Sequence, residues 1–481
     1  MPLHASKLDL LSSSSFSPSI TSILFEPFSR SLSLSLSDSS HILFPSFSPS
    51  SPLQPHTAVP PSSTAASFLR LLPTNRVLFL VAAPLDAFAS VVLRAWILLS
   101  TPPRFAPVRL TYKKSAPATI PLAHGFGVRL IGTVNYFLLH APAAGKIWVM
   151  AARLGKGEVN EMEGVDLVKC AVVECDLPIY SIGMSTGVIV LGEIGGVRVF
   201  PLRVLVKGNG WKSKRKGSLA AGKSGDRLLR LEKRFVPNGM IVPMSCTDGG
   251  AVVKAGEEKT SEKAPVVVRR ARLRQNSGDL YSFFMEIKCK HSISKGNTEY
   301  LASVKAISIH VLPQNQFLIL DSVGDLHLLT LHGTFTASEV SSDSSRSSKY
   351  AHMCRLDVKM KVQVLSVPPD MFAKMESIWI SDGAYSVYMM AVAFNESPEK
   401  DGVEDEEKEK SIRISVIFTS EKVQHIIAVS AKAILVLGQG KIQNDLSIIS
   451  YPFDALTVKH ILIIIMGCNL IFKLHLIIIA F

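Results

Sequence analysis

Cysteine is scarce in this sequence, and sustained helical periodicity is almost entirely missing. Only six cysteines occur in 481 residues: Cys170, Cys175, Cys246, Cys289, Cys354 and Cys468. None forms a Cys-x-x-Cys pair. Cys170 and Cys175 have no partner pair downstream, and His291 near Cys289 does not complete the four converging ligands that zinc needs. No metal site and no cofactor is expected. Buried free thiols in a reducing compartment account for the six, which points to an intracellular protein, cytoplasmic or nuclear. Apolar residues at three-to-four spacing occur only around Arg227–Phe235, so alternating helices and strands around a parallel sheet are not expected. Acidic residues are nearly absent from the first seventy positions.

What the sequence does contain is a strand-turn-strand phrase that keeps returning. Its clearest copy is Phe317-Leu-Ile-Leu-Asp-Ser-Val-Gly-Asp-Leu-His-Leu-Leu-Thr-Leu331. Similar phrases run Ser377 to Met390, Gly187 to Phe200 and, more weakly, Val134 to Met150. Each joins two short runs rich in β-branched and aromatic residues through a turn built on Gly, Asp, Asn or Pro-Ala-Ala-Gly. A β-hairpin recurring every several tens of residues predicts an all-β protein, a β-propeller of about six or seven blades that need not be complete. The run Val77–Leu99 has the length of a membrane span but holds Pro84, Asp86 and Arg94. A hairpin with strands Val77–Ala82 and Ala89–Leu98, forming the first blade, suits it better, since each buried charge costs on the order of 3 kcal/mol in a bilayer.

The ends and insertions differ in composition from this body. Residues 1–75 form a Ser/Pro-rich leader, with Ser12-Ser-Ser-Ser15, the alternating Ser31-Leu-Ser-Leu-Ser-Leu-Ser37 and a proline-rich stretch from Pro45 to Pro61. Such composition predicts disorder. It also resembles a plastid or mitochondrial transit peptide, although Arg30 is the only arginine before Arg70. The propeller is expected over 76–457, interrupted by a basic insertion, 207–263, a Ser-rich one, 338–348, and an acidic one, 396–410. The net charge of +13 is therefore local, with roughly nine net positive charges between Arg203 and Arg234. Runs of this kind are most often solvated loops. Residues 458–481 are an intensely apolar tail. It reads as a tail anchor, a buried closing strand pair or sequence foreign to the fold through a misjoined gene model, the last preferred because the β pattern stops at Tyr451-Pro-Phe453 and no turn chemistry follows.

Three motifs suggest chemistry and lack its context. Gly217-Ser-Leu-Ala-Ala-Gly-Lys-Ser224 matches the phosphate-binding P-loop. It follows the solvated run Lys212-Ser-Lys-Arg-Lys216 rather than a buried strand, so nucleotide binding through Lys223 and Ser224 is not expected. Gly183-Met-Ser-Thr-Gly187 matches a nucleophile elbow, with His124-Gly-Phe-Gly127 as an oxyanion loop. The elbow must lead into a helix, whereas Val188-Ile-Val-Leu191 is a strand, and both glycines read as turn residues with positive φ. Asp321, Asp325 and Asp382 lie at hairpin turns and are expected to bond turn backbone or a neighbouring strand.

Gly195-Gly-Val-Arg-Val-Phe-Pro-Leu-Arg203, and Lys290-His-Ser-Ile-Ser-Lys295 through Leu331, resemble phrases of a plant family of WD-repeat-like (transducin-like) β-propeller proteins. The similarity spans roughly residues 76–450, though no hairpin here carries the Gly-His or Trp-Asp pairs of true WD repeats. The resemblance implies a scaffold presenting loops to partners and transfers no catalytic residue. A non-enzymatic protein-interaction scaffold is the leading expectation, with proteins as partners. Its electrostatic contacts are expected at Lys207, Trp211, Lys212, Lys214, Arg215 and Lys216 in the basic loop and at Glu404, Asp405, Glu406 and Glu407 in the acidic one. Nucleic acid is a weaker partner, since one aromatic makes no stacking platform. Membrane association would rest on residues 461–481, with a membrane-associated or plastid-targeted location as the alternative.

Overall fold

The computed structural model describes residues 5–7, 18–48, 56–125, 127–155, 164–207, 271–275, 282–287, 304–332, 351–369, 376–392, 414–419, 421–430, 433–439 and 446–450. These residues form an all-β propeller of seven blades, numbered I to VII along the chain. Blade I is Ile20–Glu26, Ser31–Leu36, His41–Phe44 and Thr57–Val59. Blade II is Ala65–Leu71, Arg76–Leu85, Ser90–Ser100 and Pro103–Tyr112, and blade III is Arg129–Gly132, Tyr136–Ala141, Lys146–Leu154 and Gly164–Glu174. Blade IV has Ser181–Met184, Val188–Glu193, Gly196–Pro201 and Phe283–Glu286; blade V has Ala306–Leu312, Gln316–Asp321, Leu326–Leu331 and Ala351–Arg355. Blade VI is Val364–Ser366, Glu376–Ser381, Ser386–Val392 and Ile414–Phe418. Blade VII takes Lys422–Ser430, Ala433–Gln439 and Leu446–Ser450 from the end of the described chain. Its fourth strand, Ala5–Lys7, comes from the beginning, pairing antiparallel with Ser447–Ile449. One sheet thus joins the first and last described strands and closes the ring.

Seven apolar clusters alternate with the seven blades, each shared by two neighbours. Phe317 and Ile319 of blade V pack with Val190 and Val199 of blade IV. Leu318 and Leu320, on the opposite side of the same strand, pack with Ile378 and Ile380 of blade VI. Successive side chains of a strand point to opposite faces, so a blade between two others needs apolar residues at every position of its inner strands. That explains the continuous runs in the sequence. Ile23, Leu32 and Leu34 of blade I meet Leu435 and Leu437 of blade VII, completing the circle.

Blades II and III are joined more closely than the rest. The fourth strand of blade II pairs antiparallel with Ala95–Ser100 as far as Val108. It then crosses over, and Arg109–Tyr112 runs parallel to Gly164–Leu167 on the outer strand of blade III. Ala118–Ile120 takes the vacated place beside Val91–Leu93. Ala271–Arg274 covers the remaining outer edge of blade III, again in parallel. The first strands of these blades also approach closely: a Cβ on Gly132 would lie 2.0 Å from the Phe68 carbonyl oxygen.

Several expectations need correction. The leader predicted to be disordered over 1–75 contains all of blade I and the first strand of blade II, and even Ala5–Lys7 is a strand. Its Ser-Leu alternation is a period-two strand pattern whose leucines are fully buried. The hairpin over Val77–Leu99 is real but belongs to blade II, with the turn at Asp86–Phe88 in left-handed backbone. All-β character is relieved only by a 3-10 turn, Pro142–Ala144, and a six-residue helix, Leu202–Lys207, among the described residues. Leu202 and Leu205 of that helix are buried between blades III and IV. Residues 458–481 lie outside the described residues; among those described, no helix is long and apolar enough to cross a membrane.

Candidate interaction surface at the mouth of the central channel

The antiparallel order within blades decides which connections share a face. First-to-second and third-to-fourth connections emerge on one face, here the lower. Second-to-third and blade-to-blade connections emerge on the upper face. The first strands of neighbouring blades touch around the axis. Arg129 opens the first strand of blade III on the upper side. Tyr180 and Lys305 immediately precede the first strands of blades IV and V.

These three residues form a group. Arg129 Nη1 donates to the Tyr180 carbonyl oxygen at 2.8 Å and to that of Ile179 at 3.4 Å. Lys305 Nζ stands 5.2 Å from the centre of the Tyr180 ring, a cation–π distance. Among the described residues neither cation has a carboxylate partner. Beside Arg129 a cavity of about 430 Å³ is walled by blades I, II and III and reaches blade IV at Ile182; Thr21, Ser35, His41, Thr64 and Arg129 are among the residues that line it.

The cavity wall on blade I is a hydrogen-bonded chain. His41 Nε2 lies 3.1 Å from the Ser63 carbonyl oxygen, and His41 Nδ1 lies 3.1 Å from Ser35 Oγ. A carbonyl only accepts, so Nε2 carries the proton and Nδ1 accepts from the serine hydroxyl. Burial lowers the His41 pKa below its ordinary value, opposed in part by the Ser63 carbonyl and Asp38. The ring is therefore neutral near pH 7. Thr64 Oγ1 and His124 Nε2, 2.7 Å apart, continue the wall.

Apolar turn tips decorate the same face. Phe88, Ile194, Val323 and Tyr385, in the second-to-third turns of blades II, IV, V and VI, are 54%, 39%, 41% and 51% exposed. The turns themselves are rigid. In blade V, Gly324 has φ +89°, and a Cβ there would come within 3.1 Å of Val362 backbone, so only glycine fits. Asp321 Oδ1 accepts from the N–H groups of Val323 and Asp325, and Oδ2 lies 2.9 Å from His327 Nε2. Asp325 holds Lys361 and Arg355, and Asp382 accepts from the Ala384 N–H. These aspartates do the structural work expected of them.

The candidate residues of the sequence fare differently. Lys207 ends the helix after the third strand of blade IV. Trp211, Lys212, Lys214, Arg215, Lys216, Glu404, Asp405, Glu406 and Glu407 lie outside the described residues, as does the P-loop-like 217–224. Ser185 sits in a hairpin turn, its hydroxyl 3.2 Å from the Val188 N–H, and the chain continues as a strand. Neither Gly183 nor Gly187 has positive φ, contrary to expectation. Gly183 is needed for a different reason: a Cβ would meet Ile309 of blade V at 2.5 Å. Cys175 is pushed up to about 12 by burial and by Glu193 and Asp176, and burial also raises Cys170, so both thiols stay protonated. No group of three or more metal-ligating side chains occurs among the described residues. Reading the sequence did not single out Arg129, Tyr180 or Lys305. They are far apart along the chain and carry no motif, and the packing of three consecutive blades brings them together.

No family model matches the sequence, and no curated protein matches it either. Among solved structures, similar chains include the WD40 domain of SCAP from fission yeast, with 9% identity and a TM-score of 0.42, covering 93% of this chain and 87% of that one. The β-propeller domain of Cps50 (Swd1) from Myceliophteria thermophila has 7% identity and a TM-score of 0.42, covering 93% and 100%. That of Nup133 from Vanderwaltozyma polyspora has 11% identity and a TM-score of 0.39, covering 93% and 97%. At such distances the assignment of the fold rests on the strand order and the ring of shared cores described above.

Proposed function

We propose that this protein is a non-enzymatic scaffold that binds other proteins inside the cell. One observation carries the reading: four blades present a large, exposed apolar side chain at the tip of a short turn, all on one face. Isolated exposed apolar residues are ordinary. A face with such tips spaced around a channel mouth has the features of a protein-binding surface, apolar anchors with polar neighbours. The rigid glycine and aspartate turns support this, because preorganised anchors lose little entropy on binding.

The charged insertions leave the propeller on the opposite side. The basic segment connects the third and fourth strands of blade IV, and the acidic one connects those of blade VI. Their roots therefore share the lower face. Lys207, Trp211, Lys212, Lys214, Arg215 and Lys216, with Glu404–Glu407, supply further electrostatic contacts. The test is cross-linked capture of the full-length chain from cells, beside a Phe88→Asp/Tyr385→Asp double variant. Defined protein partners lost from the double variant are expected. A captured set unchanged by the two substitutions, or no protein above a control, would refute the reading.

A further inference from the structure

Resting on the scaffold reading, we infer that the channel mouth on the upper face recognises an acidic, amphipathic peptide segment of a partner, with Arg129 and Lys305 as its anion-binding pair. Three independent features converge on this site. Two cations without carboxylate partners among the described residues engage the same residue, one by its guanidinium on the Tyr180 backbone carbonyl and one over the Tyr180 ring. Arg129 spends Nη1 on backbone carbonyls, which fixes the plane of the guanidinium and leaves Nη2 and Nε to meet a carboxylate. Lys305 is exposed and set by its backbone, whose N–H donates to Ser322 Oγ at 3.0 Å.

The adjoining cavity defines the rest of the ligand. Its volume of about 430 Å³ lies within the range of binding pockets. Hydroxyls of Thr21 and Ser35 alternate there with the apolar side chains of Leu24, Ile131 and Ile182. A free inorganic anion would use the cations and none of that apolar wall. A peptide carrying carboxylates among aliphatic side chains uses both. Ile194 and Val323, exposed on the neighbouring turns of blades IV and V, extend the apolar surface outward from Lys305.

The probe is a short fluorescent peptide of alternating glutamate and leucine with blocked ends, titrated against the full-length protein and followed by anisotropy. Saturable binding is expected. It should weaken as salt rises and fall about tenfold on Lys305→Gln and by at least that much on Arg129→Gln. The same peptide with lysine for glutamate should not bind, and inorganic phosphate should not displace the acidic one. Lys305 is exposed, so its variant keeps the test valid even where Arg129→Gln disturbs the fold. Unchanged affinity in Lys305→Gln, equal binding of the lysine peptide, or displacement by phosphate would each overturn the inference. Partner capture by the parent protein while the acidic peptide fails to bind that same protein would remove this site and leave the scaffold reading intact. Absence of partner capture by the parent protein would instead strike the scaffold reading itself.

Discussion

Blade V and blade I solve the same packing problem with opposite materials. In blade V the second strand, Gln316–Asp321, is apolar toward both neighbours, with Phe317 and Ile319 toward blade IV and Leu318 and Leu320 toward blade VI. In blade I the second strand, Ser31–Leu36, is apolar toward blade VII alone, through Leu32, Leu34 and Leu36. Its other side carries serine. Ser33 pairs with Leu43, so both point toward blade II, where Phe79, Trp96 and Phe105 fill the space. Small side chains on one blade are matched by large ones on the next. The difference teaches that a blade interface conserves total volume rather than the composition of either side.

The comparison can be broken most sharply at Phe317. Its replacement by alanine empties a fully buried site between two apolar faces. A loss of about 3–5 kcal/mol of stability is expected in denaturant titration. A loss under about 1 kcal/mol would mean that the cluster can collapse around the gap, contrary to a tightly filled interface.

The polar groups of the two blades should titrate in different windows. In blade V, burial by itself would raise the Asp321 pKa, but hydrogen bonds from His327 and from the N–H groups of Asp325 and Val323 outweigh it and the pKa is lowered. A carboxyl with a lowered folded pKa contributes stability above its unfolded value, near 4, and loses it as pH falls further. Asp321→Asn should therefore cost about 1–3 kcal/mol at pH 7 and little at pH 2. In blade I the lowered group is His41. An imidazole with a lowered folded pKa is stabilising while neutral, and that stability drains away as pH falls below about 6.5. His41→Gln should make this mildly acidic part of the stability curve less steep, by up to about 1.4 kcal/mol per pH unit, leaving the slope that the lowered His140, His310 and His425 contribute. Thermal melts across pH would read both, and a His41→Gln curve parallel to the parent between pH 6.5 and 5 would contradict the assignment.

The same contrast explains what was legible in the sequence. Phe317–Leu331 announced its hairpin because both faces are apolar and the turn carries Asp-Ser-Val-Gly-Asp. Ser31-Leu-Ser-Leu-Ser-Leu36 carried the strand period just as plainly, but half of its positions are serine. Composition averages over faces, whereas burial is decided face by face. The turn aspartates were legible because Asx bonding to turn N–H groups is local chemistry. The group at the channel mouth was not. Arg129, Tyr180 and Lys305 belong to the consecutive blades III, IV and V, and their proximity follows from the side-by-side packing of those blades, a long-range arrangement without a local signature.

The smallest effect is the most pointed, because its sign is reversed. Ser33 Oγ is fully buried and has no hydrogen-bond partner among the described residues. Ser31, its neighbour on the same face, donates to the Pro45 carbonyl at 2.9 Å. A lone buried hydroxyl costs free energy that alanine does not incur, while the loss of one oxygen atom removes little contact surface. Ser33→Ala should thus stabilise the protein by up to about 1 kcal/mol, whereas Ser31→Ala should destabilise it by a similar amount. Were the blade I strand merely a poor sequence tolerated in a strand, both serines would respond alike. Opposite signs in paired denaturant titrations would show instead that each position is set by what the facing blade supplies.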